Sequence, residues 1–162
     1  MSNRVVAAML LLLALGAVTA TTVRAQSVAD ADHTLRAMDL RMRALNSARK
    51  NLQQMEHHRD DREADAVREI TDADTTVFTA AVKVFTVAFF ITGMKCADDV
   101  HFSQQQFGLV VKLFITTADE QIARVNENLL NVAAPPAMAE VTTIRDAMVD
   151  LRELLKPFAS AD

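Results

Sequence analysis

The chain has 162 residues, about half of them hydrophobic, which is enough for one ordinary domain with a real core. Its 17 Lys and Arg stand against 21 Asp and Glu, and a net charge of −4 without a basic patch argues against nucleic acid or an anionic membrane surface as partner. The absence of Trp and Tyr removes the usual stacking groups for sugars. Three Gly and three Pro are too few for the turns of a β protein, so long helices are expected.

The first 25 residues read as a secretory signal peptide. Arg4 precedes the apolar run Val5–Leu15, and small residues lead to Val23-Arg24-Ala25, with cleavage expected after Ala25. Removing Arg4 and Arg24 leaves 15 bases against 21 acids, a mature charge of −6. The expected location is periplasmic or secreted. A lone thiol, Cys96, then sits in an oxidising compartment and cannot close an internal disulfide.

A first helix is expected near residues 28–58, from an apolar stripe at Leu35, Met38, Met42, Leu45, Leu52 and Met55. It either continues to about residue 70 through the charged stretch after Glu56 or turns near Asp60-Asp61. The second helix is expected over 73–92, with Thr71 or Asp74 as its cap. Lys83 is the only charge from Val77 to Ile91, so this helix reads as the apolar centre of a bundle. The alternative is a membrane span near 75–94. The third helix is expected over 104–132, opened by a capping box at Ser103–Gln106 with Phe102 and Phe107 as a staple. Its stripe runs through Val111, Phe114, Ala118, Ile122 and Val125. The fourth, over 136–156, starts at Pro136 and ends before Pro157. The fold class is therefore all-α: an up-down-up-down four-helix bundle over residues 26–162, following the cleaved signal.

Chemistry has few footholds. Between helices two and three, Met94, Cys96 and His101 offer soft and imidazole ligands that suit Cu(I), or Zn(II) with a carboxylate. The plainer reading of this stretch is a turn with apolar filler, or a thiol available for an intermolecular disulfide. His57 and Asp61 stand four apart and could share an ion with Asp72 or Asp74, although a charged run is more often a solvated face. No Cys-x-x-Cys-His exists for haem attachment, and no repeated Glu-x-x-His for a di-iron centre. Met38 and Met42 fit core packing better than haem ligation. Lys83, a charge inside an apolar helix, is either a functional amine or a snorkelling side chain.

With no nucleophile motif, no phosphate loop and no cofactor implied, the sequence reads as non-enzymatic. The expected function is protein–protein interaction or self-association, with a protein partner or a homo-oligomer. The alternatives are a periplasmic small-ligand or metal-binding bundle and a membrane-held helical protein.

Overall fold

The computed structural model describes residues 33–55, 60–92 and 97–159, with side chains described over 33–55, 60–91 and 106–159. Four α-helices account for nearly all of them, and no strand occurs among the described residues. The architecture is all-helical and consistent with a four-helix bundle. The expected signal peptide at 1–25 lies outside the described residues. The chain divides into two units, Met1–Thr34 and Leu35–Asp162, and the packing of the helices belongs to the second.

Helix α1 covers 33–54 and ends in a tight turn, where Met55 N–H donates to Leu52 C=O at 3.1 Å. It does not continue to residue 70. Helix α2, Asp61–Thr92, starts afresh twelve residues before the expected position. Asp60 is the reason. Its Oδ1 accepts the Glu63 N–H at 2.8 Å, satisfying one of the donors that a helix start leaves open. Thr71, expected as a cap, lies mid-helix and bonds its hydroxyl back to Val67 C=O at 2.8 Å.

Helix α3, Ala97–Leu129, begins seven residues before the expected start near 104. No Gly or Pro stands between Ala97 and Phe107, so nothing in the sequence prevents a helix from starting this early. The Ser103 capping box is therefore overruled: that position is inside the helix. Helix α4, Pro135–Leu155, opens on an extended Ala134 and runs into a 3-10 turn at Lys156–Phe158.

The core is built from one stripe per helix. Met38, Leu45 and Leu52 of α1 meet Ile70, Val77 and Val84 of α2, Val111, Phe114, Ala118 and Val125 of α3, and Val141, Ile144, Met148 and Leu151 of α4. Within each set the spacing is three, four or seven residues, so one face of each helix is removed from water. Met38 is wholly buried among these apolar side chains.

Polar contacts tie the outer edges. Asn51 donates to Glu140 at 2.9 Å, and Arg41 faces Asp150 at 3.7 Å. Arg124 pairs with Glu69, and Arg152 donates to Asp119 at 2.7 Å. The rings of Phe107 and Phe158 meet edge to face at 5.7 Å. Exposed ion pairs of this kind contribute little energy, and their value here is to mark which turns lie side by side.

Candidate functional site

The expectation that α2 forms an apolar centre, buried on all sides, is not met. Its inward stripe, Ala66, Val67, Ile70, Ala73, Val77, Ala81 and Val84, is buried. The opposite side is open: Val82, Phe89 and Phe90 are 40%, 62% and 65% exposed. On α3, Leu109 and Leu113 are 59% and 69% exposed. The cause is geometric. The other helices cover one side of α2, and Val82, Phe89 and Phe90 lie outside that sector.

This outer face is poor in charge. Lys83 is the only charged residue of α2 from Thr75 to Ile91, and Lys112 the only one of α3 from Phe107 to Ala118. The rings of Phe89 and Phe90 stand edge to face, 6.4 Å between centroids and 72° apart. Exposed large apolar side chains grouped in this way are uncommon on a soluble monomer.

Between the two helices runs a groove of about 400 Å³. Thr75, Thr76, Thr79 and Lys83 line it from α2, and Leu113 and Thr117 from α3. Ala80, Val110 and the nearly buried Phe114 form its apolar floor. Lys83 is thus exposed, on the wall of this groove. The sequence singles it out; the groove itself requires the pairing of α2 with α3.

A second feature lies on the inward side of α2. Asp74 has no exposed surface, and neither carboxylate oxygen accepts a hydrogen bond. Among the described residues its one charged contact is Arg49 of α1, whose Nη1 stands 3.4 Å from Oδ2. Burial pushes the Asp74 carboxyl up to about 7, and the Arg49 charge only partly opposes this. Arg49 is itself held in place. It donates to Thr75 Oγ1 at 3.2 Å and Asn46 Oδ1 at 3.0 Å, and its guanidinium lies 5.3 Å from the Phe78 ring centroid. Sequence reasoning placed Asp74 at a helix start or as a metal partner for His57 and Asp61. The structure instead sets it mid-helix, beside a cation. The signal was present: Asp74 falls four after Ile70 and three before Val77, on the buried stripe.

Met94 and Cys96 lie outside the described residues, as does His57. His101 belongs to α3 rather than to a loop, and its side chain is outside the described residues. Asp61 and Asp72 are exposed on α2. Among the described residues no three His, Cys, Asp or Glu side chains converge as a metal site would require.

By length and composition α2 is apolar enough over Asp61–Ile91 to cross a membrane, yet only 22% of its most apolar eighteen-residue stretch is buried. No protein-family model matches the chain, and neither a curated protein nor a solved structure is similar to it.

Proposed function

We propose that this chain is an exported, non-enzymatic helical-bundle protein that works by binding another protein or a second copy of itself through the outer face of α2 and α3. One observation carries the reading. Val82, Phe89, Phe90, Leu109 and Leu113 stand exposed on two adjacent helices, in a sector with only two charges. Desolvating such a surface costs little and returns about 25 cal/mol for each Å² of apolar area covered. The Lys83–Leu113 groove supplies relief that a helix ridge could enter.

The up-down-up-down order of the bundle is part of this proposal. Supporting it, Asn51 meets Glu140 while Arg41 meets Asp150, and Arg124 meets Glu69 while Lys83 shares a groove with Val110. Each pair of contacts runs in opposite chain directions. Export rests on the Arg4, Val5–Leu15 and Val23-Arg24-Ala25 pattern.

The test joins both statements. Protein recovered from the periplasm or medium is expected to begin at Gln26 by mass spectrometry. Sedimentation velocity of that protein is expected to show concentration-dependent association, or a defined complex with a protein that co-purifies. The Phe89→Glu, Phe90→Glu double variant is expected to abolish that association while leaving helix content unchanged. A monodisperse monomer that forms no complex, or association indifferent to the double variant, rejects the surface.

The length and low burial of α2 favour a second reading, a chain held in the membrane by a span near 75–94. Against it, the inward face of the same helix carries Val77, Ala81 and Val84 of the bundle core. Alkaline-carbonate fractionation separates the two, because a span stays in the pellet and an exported bundle is released.

A further inference from the structure

The groove between α2 and α3 offers a ligand something narrower than the apolar face around it. Four threonines line it, and each spends its hydroxyl proton on its own helix. Thr75 donates to Thr71 C=O at 2.9 Å, Thr76 to Asp72 C=O at 2.9 Å, Thr79 to Thr75 C=O at 2.8 Å, and Thr117 to Leu113 C=O at 3.0 Å. The threonines therefore bring no free proton to the groove, although Thr75 Oγ1 accepts from Arg49, and their methyl groups count with its apolar walls.

Among the described residues, Lys83 is then the one charged lining residue and the one lining side chain with donors still to give. No carboxylate occurs on α2 from Thr75 to Ile91 or on α3 from Phe107 to Ala118. The ammonium is thus not neutralised by either wall. Its volume of about 400 Å³ falls in the range of small-ligand sites, about 300–1,000 Å³. From Lys83 to Thr75 the wall runs eight residues along α2, about 12 Å at ~1.5 Å per residue.

We propose that this groove binds a single-chain amphiphile with an anionic head, of the fatty-acid type. The carboxylate sits on Lys83 Nζ and the alkyl chain lies along α2 toward Thr75, over Ala80, Val110 and Phe114. Charge complementarity selects the head, since a carboxylate adds an ion pair to the hydrogen bond from Lys83 that a neutral hydroxyl cannot form. The absence of other donors selects the body, since a polar chain would lose its water without replacement. The site goes beyond the protein-contact reading and stands without it: a protein that never associates still has this groove.

Isothermal titration calorimetry of the exported protein with dissolved sodium dodecanoate, at pH 8 and below its micelle concentration, tests the assignment. One saturable site per chain is expected, with dodecanol binding about tenfold more weakly. Lys83→Gln is expected to erase that difference, bringing dodecanoate down to the level of dodecanol. Leu113→Glu, at an exposed position, is expected to weaken dodecanoate by about tenfold or more and dodecanol far less, by placing a like charge on the opposite wall. Circular dichroism of both variants checks that the helices are intact. The proposal is overturned by absence of saturable binding, by equal affinity for acid and alcohol, or by a Lys83→Gln variant that still prefers the acid. Binding confined to phosphatidylglycerol vesicles, with none to dissolved dodecanoate, also overturns it and makes the face a membrane contact.

Discussion

The carboxylate of Asp74 lies 3.4 Å from the guanidinium of Arg49 with no surface exposure, and neither of its oxygens accepts a hydrogen bond. A buried charge is tolerable when it is both paired and fully hydrogen-bonded. Asp74 meets only the first condition, so near neutral pH it is poised between a paired anion and a neutral acid. The pair belongs to the interior between α1 and α2, whereas Phe89 and Phe90 are exposed. Thr75, which accepts from Arg49, also lines the groove, so the pair and the groove meet at that residue.

The pH dependence of stability follows with a definite sign. The Asp74 carboxyl rises from 3.8 to about 7 on folding, so the native state holds a proton that the unfolded chain has released. The stabilisation from this proton is complete below about pH 4 and is lost as pH rises through 7. Three units correspond to about 4 kcal/mol. Asp74→Asn keeps the shape and removes the titration. Urea midpoints are expected to rise for this variant relative to the parent at pH 8, with little difference at pH 4. A parent and variant with parallel pH profiles would show that Asp74 is not the titrating group.

Arg49→Leu is expected to steepen the same pH dependence, because without the guanidinium burial pushes the Asp74 carboxyl further up. Removing one partner of a buried pair typically costs about 3–5 kcal/mol when the other stays charged. At pH 8 the variant should lose stability on that scale, or recover part of it by taking up a proton at Asp74. At pH 5 the carboxyl is already neutral, and only the contacts to Thr75, Asn46 and Phe78 are lost, about 1 kcal/mol for each good one. The double variant Arg49→Leu, Asp74→Asn should be more stable at pH 8 than Arg49→Leu alone.

Neighbouring residues of α3 give a contrast between core and surface. Phe114 is 1% exposed and packed into the core, whereas Leu113 is 69% exposed. Phe114→Ala leaves a cavity and is expected to cost about 3–5 kcal/mol in equilibrium unfolding. Leu113→Ala should remain within about 0.5 kcal/mol of the parent. Equal effects would mean that the register of α3 is turned about its axis from the one described.

These residues also show what the sequence could and could not disclose. The stripes of α3 and α4 were legible because every third or fourth residue is large and apolar, and those side chains form the core. Helix starts were less legible. Thr71, Asp74 and Ser103 are good capping types, but a threonine can bond back to its own helix, and a buried acid can rest against a cation on another helix. Neither alternative is visible without the partner elements. The second helix misled for a related reason: an apolar composition on all sides fits burial, and only packing reveals that Val82, Phe89 and Phe90 lie outside. Lys83 was legible as an anomaly, whereas its groove needed the neighbouring helix. The reading of Met94, Cys96 and His101 stays with the sequence, because those side chains lie outside the described residues.

Glu63 is tied through both its backbone and its side chain. Its backbone N–H is capped by Asp60, and its Oε1 accepts the N–H of Ala134 at 3.0 Å, just before Pro135 opens α4. Pro135 and Pro136 bring no N–H of their own, so the Ala134 amide is the last donor of the connection, and Glu63 is its acceptor. Glu63 is almost fully buried, so water cannot easily take its place. Glu63→Ala should strand the Ala134 amide and cost about 1–3 kcal/mol. Glu63→Gln, which retains a side-chain oxygen, should recover much of that loss. Amide hydrogen exchange provides the specific readout: in Glu63→Ala the Ala134 amide should lose protection while Phe114 in the middle of α3 keeps it. Uniform loss across both sites would instead assign Glu63 to the general stability of the bundle, with no particular hold on the α3–α4 connection.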